Sequence, residues 1–200
     1  WYAFVPFMEC NHGVVSLKHR VTGTLKVDGK EQIFSRGNGY IEKDWGGSFP
    51  ESWLWLQCNT FPGDDVSVMV SVAKIPWLGR HFLGFLGFVH VNKRLYLFAT
   101  YNKSTISRFS VSDNEASLTM TGRDGVMRIH VGRTGMARLE APTSGEMARS
   151  IRESLDGTAE VVLEDPRGRV IYQGTGNGAG LEVEGDIAGE AHKAGFTRAN

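Results

Sequence analysis

Hydrophobic and polar residues alternate along most of this chain in short segments that end at Gly, Asn, Asp or Pro. Period-two alternation between turn residues is typical of β-strands that bury one face. Asp28–Gly29 and Asp124–Gly125 add hairpin signals of the Asp-Gly type. We therefore predict an all-β antiparallel fold, a barrel or a sandwich. The segments include VVSLKHRVTGTLKV (14–27), VSVMVSVAKI (66–75), RLYLFATY (94–101), TISRFSV (105–111), ASLTMT (116–121) and GVMRIHV (125–131).

A single stretch departs from this alternation. In APTSGEMARSIRESLDG, Thr143 and Glu146 have the spacing of a capping box, and Gly157 stands where a helix would end. Apolar residues recur there at every fourth position, at Met147, Ile151 and Leu155. The spacing predicts one helix over residues 145–156.

Composition narrows the class of protein. The 200 residues are 41% hydrophobic and carry 22 basic and 22 acidic groups, which is enough apolar material for one domain over residues 1–200. A formal net charge of zero and the lack of a basic run argue against nucleic acid as a partner. The two cysteines, Cys10 and Cys58, have neither redox nor metal spacing, so we expect free thiols.

The stretch GYIEKDWGGSFPESWLWLQCNTF (39–61) combines carboxylates with three tryptophans. In an extended strand, Tyr40, Glu42 and Asp44 share one face. In the next strand Trp53, Trp55, Gln57 and Asn59 share a side, and Leu54, Leu56 and Cys58 take the other. If both polar-aromatic faces look into the barrel, its interior is an apolar pocket with a few convergent polar groups.

A carboxyl group in such a pocket loses water, and its pKa rises toward a value useful for proton donation. In the competing interpretation, Glu42 and Asp44 face water and the tryptophans are ordinary core. His12 suits a proton shuttle, although a hydrogen-bonded structural histidine is the commoner role. His81 and His90 form no metal motif with His12, and we expect neither a metal nor a cofactor.

The stretch YIEKDWGGSFPESWLWLQCNTF resembles the signature of the tocopherol cyclase family. In that signature Glu-Lys-(Asn or Asp)-Trp-Gly is followed by Phe-Pro, a Trp-x-Trp pair and Gln-x-Asn. The later APTSGEMARSIRESLDG and GNGAGLEVEGD are similar to the family's C-terminal part. The resemblance implies a lipocalin-like barrel and proton-initiated cyclisation of a prenylated quinol, and a related branch hydrates carotenoid double bonds.

Transferred residue by residue, the resemblance covers His12, Glu42, Trp45, Trp53, Trp55, Gln57 and Asn59, and Tyr40 and Asp44 are added because they share the strand face of Glu42. The expected catalytic residues are therefore Glu42, Asp44 and His12. The expected substrate-binding residues are Tyr40, Trp45, Trp53, Trp55, Gln57 and Asn59. Asp44 stands where plant cyclases have Asn, and Asp, unlike Asn, is able to donate a proton as an acid. The chain is shorter than typical members and begins at Trp1, so we expect it to be the C-terminal part of a longer two-barrel protein.

The expected function is therefore that of a cofactor-free cyclase whose partner is a hydrophobic isoprenoid or prenylated quinol. A terpenoid hydratase and a non-catalytic carrier of a prenyl lipid are the alternatives. We expect a cytoplasmic location, with peripheral membrane contact and packing against a missing N-terminal domain as further expectations. A chain that starts at Trp1 gives no basis for judging a targeting signal.

Overall fold

The computed structural model describes residues 8–62 and 65–197. Twelve strands dominate these residues, and a 3₁₀ turn (Thr100–Asn102) and one α-helix accompany them. The strands are β1 (Cys10–Val27), β2 (Lys30–Gly46), β3 (Trp53–Cys58), β4 (Val66–Trp77), β5 (Arg80–Val91), β6 (Arg94–Ala99), β7 (Thr105–Val111), β8 (Glu115–Gly122), β9 (Gly125–Gly132), β10 (Ala137–Thr143), β11 (Glu146–Glu164) and β12 (Val170–Glu184), and the helix is α1 (Ile187–Lys193).

Two antiparallel sheets contain these strands. The larger runs in the order β6-β5-β4-β3-β12-β11-β9-β8-β7, with β10 attached to β11. It curls until β6 contacts β8, close to the opposite edge, although no ladder joins β6 to β7 among the described residues. The predicted all-β, lipocalin-like antiparallel class is confirmed.

The smaller sheet is a single long hairpin made of β1 and β2. It turns at Asp28 and Gly29, whose φ values of +49° and +78° are those that a tight two-residue turn needs. The Asp-Gly signal in the sequence therefore marks this turn correctly. Three register shifts interrupt the ladder. They lie between Val14 and Ser16, between Ser16 and His19, and between Val21 and Gly23.

The main core lies on one side of the curled sheet. Leu54, Leu56 and Cys58 of β3 point into it, as period-two alternation predicts, and they are nearly or fully buried. Alternate residues of the neighbouring and opposite strands complete the same cluster. Among them are Val66, Val68, Val70, Val72, Phe98, Ile106, Leu118, Met127, Val161 and Leu181.

The predicted helix over residues 145–156 is wrong. This segment belongs to β11, which pairs with β10 across a tight turn at Ser144 and Gly145. Both turn residues have positive φ, at +53° and +87°. Thr143 and Glu146 face each other as the pair that closes this hairpin, and such a pair has the same i, i+3 spacing as a capping box.

The helix of the structure lies at the other end of the chain, in α1. Asp186 caps it by accepting a hydrogen bond from the Gly189 N–H at 3.0 Å. Ile187 and Ala191 are each 1% exposed and pack into the main core, where the helix contacts β4 and β7. No described helix is long and apolar enough to cross a membrane.

Candidate functional site

A cavity of about 310 Å³ lies between the β1–β2 hairpin and the face of the large sheet that points away from the main core. We call it the hairpin pocket. The hairpin contributes Cys10, His12, Tyr40, Glu42 and Asp44, and the sheet and its connections contribute Phe49, Pro50, Trp53, Trp55, Ser71, Ala73, Ile75, Gly84, Phe85, Leu86, Glu153 and Glu182, with Met8 at the edge.

This position corrects one expectation. The two polar-aromatic faces do meet, but outside the curled sheet, because the inside is filled by the apolar residues of the main core. A β-strand has two faces, and alternation alone does not say which face a second sheet will cover. The hairpin covers the outer face of β3, β4 and β5 and so creates the pocket there.

The aromatic wall of the pocket comes from β3. Trp53 and Trp55 lie on the side opposite Leu54 and Leu56, as predicted. The Phe49 ring packs edge-on against Trp53 at a centroid distance of 5.7 Å. Ala73 and Ile75 of β4 pack against the same rings, so this wall offers an apolar surface to a ligand.

The acidic wall comes from β2. Tyr40, Glu42 and Asp44 occur at every second position and all line the pocket, which confirms that they share a face. β1 places His12 directly opposite Asp44 in the ladder, and this pairing brings a histidine between the two carboxyl groups. The three predicted catalytic residues are therefore neighbours in space.

His12 links the two carboxyl groups. Its Nδ1 lies 2.7 Å from Asp44 Oδ1 and 3.5 Å from Glu42 Oε1. With a carboxylate as its nearer partner, Nδ1 carries the proton and donates. Burial by itself would lower the pKa of His12, but the hydrogen bond to Asp44 and the charge of Glu42 outweigh it, so the pKa lies above its ordinary value. The buried Nε2 has no hydrogen-bond partner among the described residues.

Glu42 is the more deeply buried of the two carboxyl groups beside His12, with 10% of its side chain exposed, against 32% for Asp44. Burial raises its pKa, while nearby His12 and the hydrogen bond donated by the Tyr40 hydroxyl act in the opposite direction. A carboxyl group of this kind holds its proton more firmly than one in water. It also has two groups ready to stabilise its anion after the proton has left.

Three of the predicted binding residues do not line the pocket. Trp45 lies on the other face of β2, 41% exposed, where the Lys43 ammonium sits 5.4 Å from its ring centroid. Gln57 is on the same side of β3 as the tryptophans but is buried beyond the pocket, and Asn59 follows the strand. Strand alternation places Trp45 on the face of β2 opposite to that of Asp44. Only the family resemblance favoured a substrate-binding role for Trp45.

Sequence reasoning missed two acidic residues of the pocket, Glu153 and Glu182. They lie opposite each other in the β11–β12 ladder, and Glu182 accepts a hydrogen bond from Trp53 Nε1 at 2.8 Å. The available signal was the alternation in GLEVEGD, where Leu181 points into the core and Glu182 therefore points the other way. That pattern does not show that β12 pairs with β3, which lies more than a hundred residues earlier in the chain.

Glu182 has a strongly shifted pKa, raised to about 7. Burial is the main cause, the charges of Glu153, Asp44 and Glu42 add to it, and the hydrogen bond from Trp53 opposes it. Burial also raises the pKa of Glu153. The pocket thus contains carboxyl groups on two of its walls.

One cluster in the pocket has the composition of a metal site. His12, Glu42 and Asp44 each offer one ligand atom, and these atoms lie within 4.8 Å of one another. Nitrogen and carboxylate donors of this kind suit several divalent transition metals. The cluster is thus a candidate ion site by composition and spacing, and His12 Nδ1 and Asp44 Oδ1 within it are hydrogen-bonded to each other.

Comparison with known proteins identifies the family of this chain. The sequence profile described as Tocopherol cyclase-like matches residues 1–185. The chain belongs to the tocopherol cyclase-like family. The family resemblance seen in the sequence is confirmed, and the match covers the whole hairpin pocket but ends before α1.

Two plant relatives show how far the similarity extends. The chain is 38% identical to the chloroplastic tocopherol cyclase of Zea mays over 73 residues, which are 36% of this chain and 15% of the maize protein. It is 27% identical over 197 residues to a probable chloroplastic tocopherol cyclase of Oryza sativa subsp. japonica, covering 92% of this chain and 42% of the rice protein. The chain thus spans less than half the length of these relatives.

Among solved structures, the crystal structure of kievitone hydratase from Nectria haematococca has a similar fold. The TM-score is 0.50 at 14% sequence identity, and the match covers 88% of this chain and 53% of the hydratase chain. At this level of identity the likeness supports the fold assignment alone.

Proposed function

We propose that this member of the tocopherol cyclase-like family protonates an isoprenoid alkene in the hairpin pocket and so cyclises a prenylated quinol. The observation that carries the proposal is Glu42: a buried carboxyl group, hydrogen-bonded by Tyr40 and adjacent to His12, in a cavity whose opposite wall is aromatic. Protonation of an alkene needs a poorly hydrated acid, and burial raises the pKa of Glu42 although His12 and Tyr40 act in the opposite direction.

In the proposed reaction, Glu42 transfers its proton to one alkene carbon and a cation forms at the other. The faces of Trp53 and Trp55 stabilise that cation by about 0.5 to 2 kcal/mol each, because the ring quadrupole attracts positive charge. His12 and Tyr40 stabilise the ionised Glu42 that remains. The phenol oxygen of the quinol then attacks the cation and closes the ring.

The hairpin pocket is large enough for only the reactive end of a prenylated quinol. About 310 Å³ is at the lower limit of ordinary small-molecule sites. The pocket would therefore hold the quinol head and the first alkene, while a longer prenyl tail extends beyond it. The apolar residues at the edge, Met8, Pro50 and Ile75, would contact such a tail.

The test is turnover of a short-chain prenylated quinol by the parent protein and by Glu42→Gln. We expect the variant to retain quinol binding and to lose roughly a hundredfold or more in kcat, the scale of a missing general acid. Glu115→Gln, which changes an exposed glutamate at the start of β8, is the matched control and should keep the parent rate.

The product distinguishes the alternatives. A chromanol that takes up one solvent deuterium at the protonated carbon supports cyclisation, and an alcohol labelled from ¹⁸O-water identifies a hydratase instead. Binding of the quinol without any product overturns the enzyme proposal and leaves a carrier. Equal rates for the parent and Glu42→Gln show that the acid is another group; Asp44→Asn is then the next variant to test, followed by a substitution of His12.

A further inference from the structure

Glu182 also lines the hairpin pocket, and the proposed function gives it no role. It lies on β12, on the wall formed by the large sheet, whereas Glu42 and His12 belong to the hairpin. β12 pairs with β3 so that Glu182 stands opposite Trp55, one of the two aromatic residues proposed to face the cation. A ligand between the two walls would have Glu42 on one side and Glu182 on the other.

The local geometry holds the Glu182 carboxyl group in place. Trp53 Nε1 donates a hydrogen bond to Oε2 at 2.8 Å, and the Arg149 guanidinium lies over the Trp53 ring, 4.7 Å from its centroid. Arg149 itself binds the Pro50 and Glu51 carbonyl oxygens and pairs with Glu184. Its charge is thus engaged elsewhere.

The charges around Glu182 are mostly of its own sign. Glu153 faces it directly across the ladder, and neither glutamate has a Lys, Arg or His partner within 4.0 Å in residues 8–62 and 65–197. Glu42 and Asp44 act on it from the hairpin. Arg133 also interacts with it by charge, but its hydrogen bonds go to the backbone carbonyl oxygens of Asp113 and Leu181. Two facing carboxyl groups without a cation do not both ionise easily, so one of them retains or takes up a proton.

We propose that Glu182 is the catalytic base of the pocket, which accepts the proton released when the quinol oxygen attacks the cation. This inference rests on the proposed function and assigns the step that follows protonation. Glu42 gives one proton to carbon, a C–O bond forms, the O–H bond of the nucleophile breaks, and its proton passes to the Glu182 carboxylate. The substrate neither gains nor loses atoms, and the two carboxyl groups exchange protonation states.

The pKa of about 7 suits this role, because a base works best when its pKa is near the pH at which it operates. The base must be ionised, so kcat/KM should fall as the pH drops below about 7. The Trp53 hydrogen bond lowers this pKa and Glu153 raises it. Trp53→Phe should therefore move the acidic limb of the profile to higher pH, and Glu153→Gln should move it to lower pH.

The decisive experiment compares pH–rate profiles of the parent, Glu182→Gln, Trp53→Phe and Glu153→Gln, with Glu160→Gln on an exposed part of β11 as control. We expect Glu182→Gln to lose roughly a hundredfold in kcat/KM and to abolish the acidic limb. The other two pocket variants should shift the limb in opposite directions, and the control should leave it in place. Loss of rate without these opposite shifts, or an unchanged limb in Glu182→Gln, overturns the proposal.

A second readout does not depend on turnover. Carboxyl signals of ¹³C-labelled glutamate in the ligand-free protein should show a group that titrates near pH 7 and that disappears in Glu182→Gln. A parent spectrum without such a group overturns the base assignment even if the protein is an active cyclase. If the group titrates as expected but no prenylated quinol is turned over, the proposed function fails and the catalytic role of Glu182 fails with it.

Discussion

At the scale of single residues, the hairpin pocket shows how an apolar environment changes the chemistry of ordinary side chains. Glu42, Glu182 and Cys10 all have raised pKa values, and burial is the main cause in each. The same low dielectric therefore raises the pKa of Glu42, brings the pKa of Glu182 to about 7 and makes the Cys10 thiol unreactive. Each residue differs in the neighbours that modify this common effect.

Cys10 gives a direct test of this environment. Burial, with a smaller contribution from Asp44, raises its pKa to about 12. At pH 8 we expect Cys10 in the native protein to react with iodoacetamide about a thousandfold more slowly than in the unfolded chain, because the thiolate is the reacting species. Site-resolved mass spectrometry measures this rate.

Denatured protein is the control for that measurement and should show two reactive thiols, because Cys10 and Cys58 are both free. Rapid native labelling of Cys10 would mean that the hairpin does not seal this edge of the pocket.

At the scale of elements, the alternation of the sequence predicted the strands and the faces of β2 and β3 correctly. It failed at β10–β11 because a four-residue spacing of apolar side chains is also a multiple of two, and because Thr143 and Glu146 fit either a capping box or a hairpin closing pair. It gave the acidic and aromatic faces but not the side of the sheet on which they meet. Pairing between distant strands, as between β3 and β12, is set by packing of the whole chain and has no local signal.

The same β3–β12 pairing leads to a prediction about Gly180. A Cβ at this position would lie 2.6 Å from a ring carbon of Trp55, so the glycine leaves room for the indole. We expect Gly180→Ala to displace Trp55 into the pocket, to lower the free energy of unfolding by about 1–3 kcal/mol and to weaken quinol binding. Denaturant titration and near-ultraviolet circular dichroism measure the two structural effects.

Gly132→Ala is the matched control for Gly180→Ala, since Gly132 also lies in a strand but has open space, with no atom within 4 Å, where the alanine methyl group would lie. Equal stability of the two variants, with an unchanged tryptophan signal, would contradict the proposed packing of Trp55 on Gly180.

At the scale of the whole molecule, stability is unevenly distributed. The large sheet and α1 share the main core, whereas no described residue of β1 or β2 belongs to the buried hydrophobic set. The hairpin exposes Val15, Leu25, Val27 and Ile33, and the ion pair between Lys18 and Asp65, at 2.8 Å, is one of its links to the large sheet. We conclude that the hairpin is the less stable wall of the pocket.

Hydrogen exchange should show this difference. We expect backbone amides of β1 and β2 to exchange at least about tenfold faster than those of β3 and β4, because local opening of the hairpin does not expose the main core. A ligand that fills the pocket should slow exchange in the hairpin and leave β8 and β9 unchanged. Uniform protection across both sheets would instead indicate a single cooperative unit.

The separate hairpin has a consequence for affinity. The acidic wall and the aromatic wall meet only in molecules whose hairpin is closed on the sheet, so the measured dissociation constant equals the intrinsic one divided by the closed fraction. Substitutions near the Asp28–Gly29 turn, at the far end of the hairpin from the acidic residues, are thus able to weaken or strengthen binding without touching a ligand. Natural selection is thus able to change the affinity of the pocket through the stability of the closed hairpin.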